Sequence, residues 1–236
     1  MKAVVLAGGK GTRLVPYTRI LPKPLMPIGD MPILEVLICQ MKRYGVEEVI
    51  LTVGHLAELL RSFFQDGSRF GIPIRYCYED KPLGTAGPLA QVDGLDNTFL
   101  VSNGDVLTTL DLGALVAFHR AEGATATIAV HRRTVNIDLG VIKFNGRNEV
   151  VDYIEKPKFD YDVSMGIYVF EPTVLEHIPR GRYLDFPDLV LMLLAAGHRV
   201  VGFPFDGYWK DLGRPDDYDE ATVEFETKRL EFLGEG

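Results

Sequence analysis

The sequence predicts an α/β protein in three layers, with a central mixed, mostly parallel sheet flanked by helices. Short apolar runs alternate with helix-forming segments in the first half of the chain. Such alternation requires crossover connections, which place helices on both faces of a parallel sheet. Strand-like runs dominate after residue 121, which indicates a mixed sheet or a small lid. The 236 residues, 47% of them hydrophobic, suffice to bury a core without a disulfide or a metal.

The first elements follow from hydrophobic spacing and from glycine and proline. Residues 3–7 (AVVLA) are typical of a strand buried on both faces, and the Gly- and Pro-rich residues 8–32 predict a long constrained loop. Residues 31–44 place apolar side chains at helical spacing before Gly45, which predicts a helix. Further strands are expected at 48–53, 72–78 and 98–102, with a helix at 55–65.

The second half begins with a predicted helix at residues 112–121. We expect strands near 125–131, 140–144, 150–155, 164–170 and 198–205, and helices at 184–196 and 215–233. Ligands of such sheets bind beyond the carboxyl ends of the parallel strands. Because neither an internal repeat nor a linker interrupts the pattern, one domain over residues 1–236 is expected.

The charge and the cysteines exclude several classes of protein. A net charge of −8 argues against a nucleic-acid binder. Cys39 and Cys77 lack a CxxC pair and histidines at ligand spacing, which predicts free thiols in the cytoplasm. No stretch approaches the roughly 18 apolar residues of a membrane span, so no membrane partner is expected. Residues 1–29 nevertheless contain no acid and five basic residues: Lys2, Lys10, Arg13, Arg19 and Lys23.

A glycine-rich loop follows the first predicted strand. Residues 6–14 read LAGGKGTRL, in which the glycines permit close backbone approach and successive N–H groups form an anion-binding turn. The chain lacks the GK[ST] ending of a Walker loop, and Leu14 stands where a dinucleotide fingerprint needs its third glycine. A tight turn would explain the glycines but not the adjacent Arg13 and the later Lys23.

Five motifs in order resemble the sugar-1-phosphate nucleotidylyltransferases, also called nucleotide-sugar pyrophosphorylases. The first motif is LAGGKGTRL at 6–14 with PKPLMPI at 22–28. GTAGPL at 84–89, which belongs to the second motif, resembles mannose-1-phosphate guanylyltransferases. The resemblance implies a three-layer Rossmann-like nucleotidyltransferase fold, here without the C-terminal β-helix that many relatives append. The other motifs are PLGTAGPL at 82–89, NGD at 103–105, EKP at 155–157 with SMGIY at 164–168, and WKDLGRP at 209–215.

The resemblance implies an enzyme that transfers a nucleoside monophosphate from a nucleoside triphosphate to a sugar 1-phosphate and releases pyrophosphate. The attacking oxygen is already anionic, so catalysis comes from alignment and charge neutralisation. Arg13 is implied to hold the triphosphate and Lys23 the phosphates of both substrates. Asp105 and Asp211 resemble a magnesium pair, since Mg²⁺ favours one or two carboxylates with phosphate oxygens and water. A turn residue and a helix cap are the alternatives for these aspartates.

The remaining site residues are carried over from the family. Glu155 is implied to bind sugar hydroxyls and Lys156 the sugar phosphate, together with Lys23, Gly140 and Gly166. The implied nucleotide-binding residues are Leu6, Ala7, Gly8, Gly9, Gly11, Thr12, Arg13, Glu79, Gly84, Thr85 and Asp105.

Glu79 favours GTP as the nucleotide. A carboxylate can accept from two adjacent N–H groups of guanine, whereas uracil and thymine offer one donor. Mannose 1-phosphate or a related hexose is then the expected acceptor. Thymidylyl or uridylyl transfer to glucose 1-phosphate stays open, as does a non-catalytic regulatory subunit that binds nucleotide sugar. Whether the chain forms a homo-oligomer also stays open.

Overall fold

The computed structural model describes residues 1–234, so the last two residues of the expected domain lie outside the described residues. The strands of this part are β1 (Lys2–Leu6), β2 (Pro27–Ile28), β3 (Met31–Pro32), β4 (Glu48–Val53), β5 (Ile74–Tyr78), β6 (Phe99–Asn103), β7 (Val106–Thr108), β8 (Ala126–Asn136), β9 (Val141–Phe144), β10 (Val150–Ile154), β11 (Lys158–Phe170), β12 (Val200–Pro204) and β13 (Trp209–Asp211). The helices are α1 (Ile33–Arg43), α2 (Ala57–Phe64), α3 (Leu112–Glu122), α4 (Phe186–Ala195) and α5 (Pro215–Leu233).

Seven strands form the central sheet in the order β12, β8, β11, β6, β1, β4, β5. β1 pairs in parallel with β4 and β6, β4 with β5, and β12 with β8. Only β11 runs antiparallel, to β6 and β8. The expected mixed, mostly parallel sheet is therefore confirmed.

The two faces of the sheet carry separate buried clusters. Val5 of β1 packs with Leu37 of α1 and Leu115 of α3, and its neighbour Val4 packs with Leu189 of α4 on the other face. Alternate residues of a strand point to opposite faces, so a strand without exposed residues at 4 and 5 must be covered on both sides. This confirms the three layers and the buried first strand.

Five elements (α1, α2, β5, α4 and β12) begin two residues later than the sequence predicts, and for two of them the structure shows why. The strand expected from residue 72 begins at Ile74, after Pro73, which has no N–H for a strand ladder. The helix expected from residue 184 begins at Phe186, because Leu184 and Asp185 form hydrogen bonds with residues 83–87 rather than within the helix. The loop of residues 8–32 also contains three short 3-10 turns and the β2–β3 pair.

The strand-rich region forms both a sheet extension and a separate hairpin. β8 and β11 continue beyond the sheet as a two-stranded ribbon, paired as far as Asn136 with Lys158. β9 and β10 form an antiparallel hairpin of their own. Thr134 and Val135 point to opposite faces of the ribbon and are both exposed, so neither face is covered there. Within residues 1–234, every helix is too short or too polar to cross a lipid bilayer.

Helix α5 closes the fold against the segment around β2 and α1. Phe225 and Phe232 of α5 are fully buried, and their rings stack with centroids 5.5 Å apart. Their cluster includes Ile28, Ile33 and Leu212. Since Leu212 follows β13 directly, α5 fixes the position of that strand.

We predict that Phe225→Ala lowers the free energy of unfolding by about 3–5 kcal/mol, because it leaves a cavity in this cluster. Leu230→Ala, on the same helix but 70% exposed, is the control and should change stability by less than ~0.5 kcal/mol. Urea unfolding of the two variants measures the difference. Equal midpoints for Phe225→Ala and the unchanged protein would contradict the packing described for α5.

Candidate functional site

A cavity of 460 Å³ lies at the carboxyl ends of the central parallel strands. Its wall is formed by the loop after β1, the β6–β7 turn, the loop after β5, the segment before α4 and the end of β13. This is the edge at which parallel sheets bind ligands. All of the predicted nucleotide-binding residues contribute to the wall: Leu6, Ala7, Gly8, Gly9, Gly11, Thr12, Arg13, Glu79, Gly84, Thr85 and Asp105.

The glycine-rich loop needs its glycines for close contacts. A Cβ atom on Gly8 would lie 2.6 Å from Oε1 of Glu79. Gly11 has a φ of +59°, and a Cβ there would lie 2.8 Å from Thr18 and 3.4 Å from Lys23. The loop thus runs from the carboxylate of Glu79 at one end of the cavity to Lys23 at the other.

Lys23 joins the two aspartates that the sequence predicts as a pair. Its ammonium group forms an ion pair with Oδ2 of Asp105 and lies 3.6 Å from Oδ1 of Asp211. β13 brings the aspartates together, because Asp211 pairs with Val106 of β7 and Leu212 N donates to Asp105 O at 3.1 Å. The aspartates therefore lie next to each other at one edge of the sheet.

Electrostatics at this end of the cavity favour a bound cation. Burial raises the pKa of Asp211, and the negative charge of Asp105 raises it further, against the opposing effect of Lys23 and Arg13. The guanidinium of Arg13 also lies against Gly213, where a Cβ would be 3.1 Å away. Four charged groups thus meet in one place, with the ammonium of Lys23 positioned between two carboxylates.

The donor set of these aspartates fits a magnesium ion. The ammonium group of Lys23 lies within ion-pair distance of both carboxylates, so the two can share one positive charge. Among residues 1–234, no three His, Cys, Asp or Glu side chains are placed to hold a metal ion by themselves. Asp105 and Asp211 would therefore hold Mg²⁺ only together with oxygens from a ligand or from water, which is the arrangement that Mg²⁺ favours.

The opposite end of the cavity contains Glu79 and the loop of residues 83–87. Oε2 of Glu79 accepts a hydrogen bond from Leu83 N at 3.2 Å. Burial raises the pKa of Glu79, and this hydrogen bond opposes the rise. A half-buried carboxylate therefore borders the wall that Gly84 and Thr85 form.

Ten wall residues are absent from the predicted set: Pro24, Thr52, Pro82, Leu83, Pro88, Asn103, Gly104, Tyr183, Asp185 and Gly213. Asn103 and Gly213 belong to the NGD and WKDLGRP motifs, so those motifs contained the signal. Tyr183 and Asp185 belong to no motif. Asp185 accepts a hydrogen bond from Thr85, which lies 100 positions away, so no local pattern reveals this contact.

Apart from Lys23, the predicted sugar-phosphate residues do not line this cavity. Gly140 precedes β9, and the exposed Glu155 and Lys156 follow β10, so all three belong to the projecting hairpin. Gly166 packs against Asn103, with a Cβ position 2.5 Å from Nδ2. Their role in binding a sugar phosphate stays a prediction.

We predict that Lys23→Met destabilises the fold by roughly 1–3 kcal/mol, since it leaves two neighbouring carboxylates without their cation. The loss should be smaller than in a fully buried pair, because the Asp211 side chain is 44% exposed. Added Mg²⁺ should then raise the melting temperature of this variant more than that of the unchanged protein.

Lys143→Met is the matched control, because Lys143 pairs with Asp152 on the exposed hairpin. It should cost about 0–1 kcal/mol, and Mg²⁺ should raise its melting temperature only as much as that of the unchanged protein. An equal Mg²⁺ response in the unchanged protein and both variants would show that the two aspartates do not share a cation.

Comparison with known proteins gives the family context of this site. The family model described as "Nucleotidyl transferase" matches residues 2–228. A mannose-1-phosphate guanylyltransferase of Mycobacterium tuberculosis is 39% identical over 229 residues, covering 94% of this chain and 64% of that protein. A UTP–glucose-1-phosphate uridylyltransferase of Synechocystis is 37% identical over 243 residues, covering 94% and 62%. The chain thus spans less than two thirds of the length of these relatives.

Solved structures share the fold at lower identity. A Bacillus anthracis protein, provisionally described as a glucose-1-phosphate thymidylyltransferase, superimposes with a TM-score of 0.76 at 24% identity, covering 95% of this chain and 94% of that one. HddC from Yersinia pseudotuberculosis gives a TM-score of 0.72 at 23% identity, covering 95% and 99%. At this identity the similarity supports the Rossmann-like three-layer architecture and nothing finer.

Proposed function

The chain belongs to the nucleotidyl transferase family, and from this premise we propose that it transfers a nucleoside monophosphate from a nucleoside triphosphate to a sugar 1-phosphate. The proposal rests above all on the ion pairs of Lys23 with Asp105 and Asp211, which lie beside Arg13 at one end of a glycine-lined cavity. Transfer from a triphosphate relies on cationic side chains that hold the phosphates next to a divalent cation, and these four residues would supply both.

The chemistry that these residues support is a displacement at the α-phosphorus. A phosphate oxygen of the sugar 1-phosphate forms a bond to that phosphorus, and the bond to the departing pyrophosphate breaks. Lys23 and Arg13 orient the phosphates and neutralise the charge that develops on the leaving group. Mg²⁺ bound by Asp105 and Asp211 would supply further charge neutralisation on the phosphate oxygens. The anionic nucleophile needs no protein base.

GTP and mannose 1-phosphate are the substrates that we favour. Glu79 supports GTP, because its carboxylate borders the cavity beside Gly8 and can accept from adjacent N–H groups of guanine. The M. tuberculosis relative is named for the same pair of substrates. The Synechocystis relative, named for UTP and glucose 1-phosphate, is the reason to retain uridylyl transfer as the second candidate.

A substrate panel tests the proposal directly. GTP, UTP and dTTP are each incubated with mannose 1-phosphate or glucose 1-phosphate and Mg²⁺, and pyrophosphate release is measured. We expect release with GTP and mannose 1-phosphate, its loss when Mg²⁺ is chelated, and its near loss in Asp211→Asn. The Asp216→Asn variant, with an exposed aspartate in the first turn of α5, is the control and should keep full turnover.

Turnover with UTP or dTTP but not GTP would contradict the choice of guanine as the base, but it would support the proposed nucleotidyl transfer. Nucleotide binding without pyrophosphate release for any pair would support the non-catalytic alternative. Full turnover of Asp211→Asn at saturating Mg²⁺ would remove Asp211 from the metal site.

We predict that Glu79→Gln lowers kcat/KM for GTP about tenfold or more and leaves that for UTP unchanged or higher, because an amide has one acceptor fewer. The raised pKa of Glu79 means that its carboxylate takes up a proton at a higher pH than a free glutamate does. The KM for GTP should therefore rise as the pH falls through this pKa, and steady-state kinetics should show no such acid limb in Glu79→Gln. An identical pH profile in both proteins would contradict the role of Glu79.

A further inference from the structure

Asp185 occupies the N-cap position of α4 without capping that helix. Aspartate is favoured there because its carboxylate accepts hydrogen bonds from the N–H groups of the first turn. Asp111 does this for α3, accepting from Ala114 N at 2.8 Å. Asp185 makes no such bond to its own helix. Its carboxylate is therefore engaged elsewhere.

The partners of Asp185 are Thr85 and Tyr183. Its Oδ1 accepts from Thr85 N at 2.8 Å and from the Thr85 hydroxyl at 3.1 Å, while Oδ2 accepts from the Tyr183 hydroxyl at 2.7 Å. In return, Phe186 N donates to Thr85 Oγ1 at 2.9 Å, so threonine caps the helix in place of aspartate. Burial opposes ionisation of Asp185, but the hydrogen bonds from Tyr183 and Thr85 outweigh it and lower its pKa.

The same segment supports the backbone of the cavity wall. A Cβ on Gly84 would lie 2.5 Å from Leu184 O and 2.8 Å from Oδ1 of Asp185, so the two segments are in direct contact. Ala86 N and Gly87 N both donate to Leu184 O, at 2.9 and 3.0 Å. Leu83 O accepts a hydrogen bond from Leu184 N, and Leu83 N donates to Glu79, so the hydrogen bonds extend to that carboxylate. The base end of the cavity is thus one hydrogen-bonded assembly.

Tyr183 completes this assembly at the cavity mouth. Its side chain lines the cavity and is 64% exposed, although its hydroxyl is held by Asp185. An exposed aromatic ring whose hydroxyl is held by a hydrogen bond offers a rigid face to a planar ligand. Nucleobases stack on such rings whatever their pattern of hydrogen-bond donors and acceptors.

We propose that Tyr183 is the stacking surface for the nucleobase, and that Asp185 is a positioning residue that holds this ring and the Thr85 loop around the base. The proposal rests on the proposed function in that it takes a nucleoside triphosphate as the ligand. Tyr183 contributes to nucleotide affinity through its ring, and Asp185 contributes only through the two groups that it holds.

The test separates the base from the phosphates. Steady-state kinetics of Tyr183→Ala should show a KM for the nucleoside triphosphate raised about tenfold, with the KM for the sugar 1-phosphate unchanged within about twofold. Inorganic tripolyphosphate, which has the phosphates but no base, should inhibit the variant and the unchanged protein equally. Tyr183→Phe keeps the ring and should lose less than about threefold.

Asp185→Asn should raise the KM for the nucleoside triphosphate and leave tripolyphosphate inhibition unchanged. The amide keeps an acceptor oxygen for Thr85 but replaces the charged oxygen that accepts from the Tyr183 hydroxyl by an NH2 group. Asp111→Asn is the matched control, because the same substitution at the N-cap of α3 should not change either constant. Thermal melting of all variants separates loss of folding from loss of base contact.

An unchanged KM for the nucleoside triphosphate in Tyr183→Ala, or equal losses for the nucleotide and tripolyphosphate, would overturn the inference. If the unchanged protein transfers no nucleotide, the proposed function fails, and calorimetric titration with GTP and with tripolyphosphate decides the inference by the same comparison. Absence of GTP binding in the unchanged protein would overturn both.

Discussion

The ion pairs that Lys23 forms with Asp105 and Asp211 determine the arrangement of the candidate active site. Two carboxylates in one place repel each other, and burial adds to the cost of their ionisation. The buried ammonium of Lys23 offsets this cost and is itself held within a short turn between prolines. Any ligand that places its own cation at the aspartates must therefore compete with Lys23 or displace it towards the phosphates.

The fold supports these contacts from two directions. Strand β6 ends before the turn that carries Asp105, and β13 pairs with β7 to place Asp211 beside it. Helix α5 packs behind β13 through a buried aromatic cluster. The charged end of the cavity thus depends on the apolar cluster that α5 buries, while the opposite end, at Glu79, depends on hydrogen bonds between the loop after β5 and the start of α4.

The sequence was sufficient where the structure follows from local pattern. The apolar run of β1, the glycines after it, and the NGD and WKDLGRP motifs that contain Asp105 and Asp211 are all visible in short stretches of sequence, and the ends of parallel strands meet at one edge. The role of Asp185 could not be predicted, because an aspartate before a helix indicates a cap and its partner Thr85 lies 100 residues away. The projecting ribbon was missed for a related reason. Its exposed residues, such as Val135 and Phe159, carry no burial pattern that fixes where a strand ends.

The central claim is that Asp105 and Asp211 share one divalent cation in the presence of a nucleotide. A crystal structure with Mn²⁺ and a non-hydrolysable nucleoside triphosphate, analysed by anomalous scattering, measures this directly. A shared cation predicts one anomalous peak within coordination distance of both carboxylates and of phosphate oxygens, with the ammonium of Lys23 moved from between the aspartates to the phosphates. A nucleotide bound in the cavity with Mn²⁺ on neither aspartate, and with Lys23 still paired to both, would contradict it.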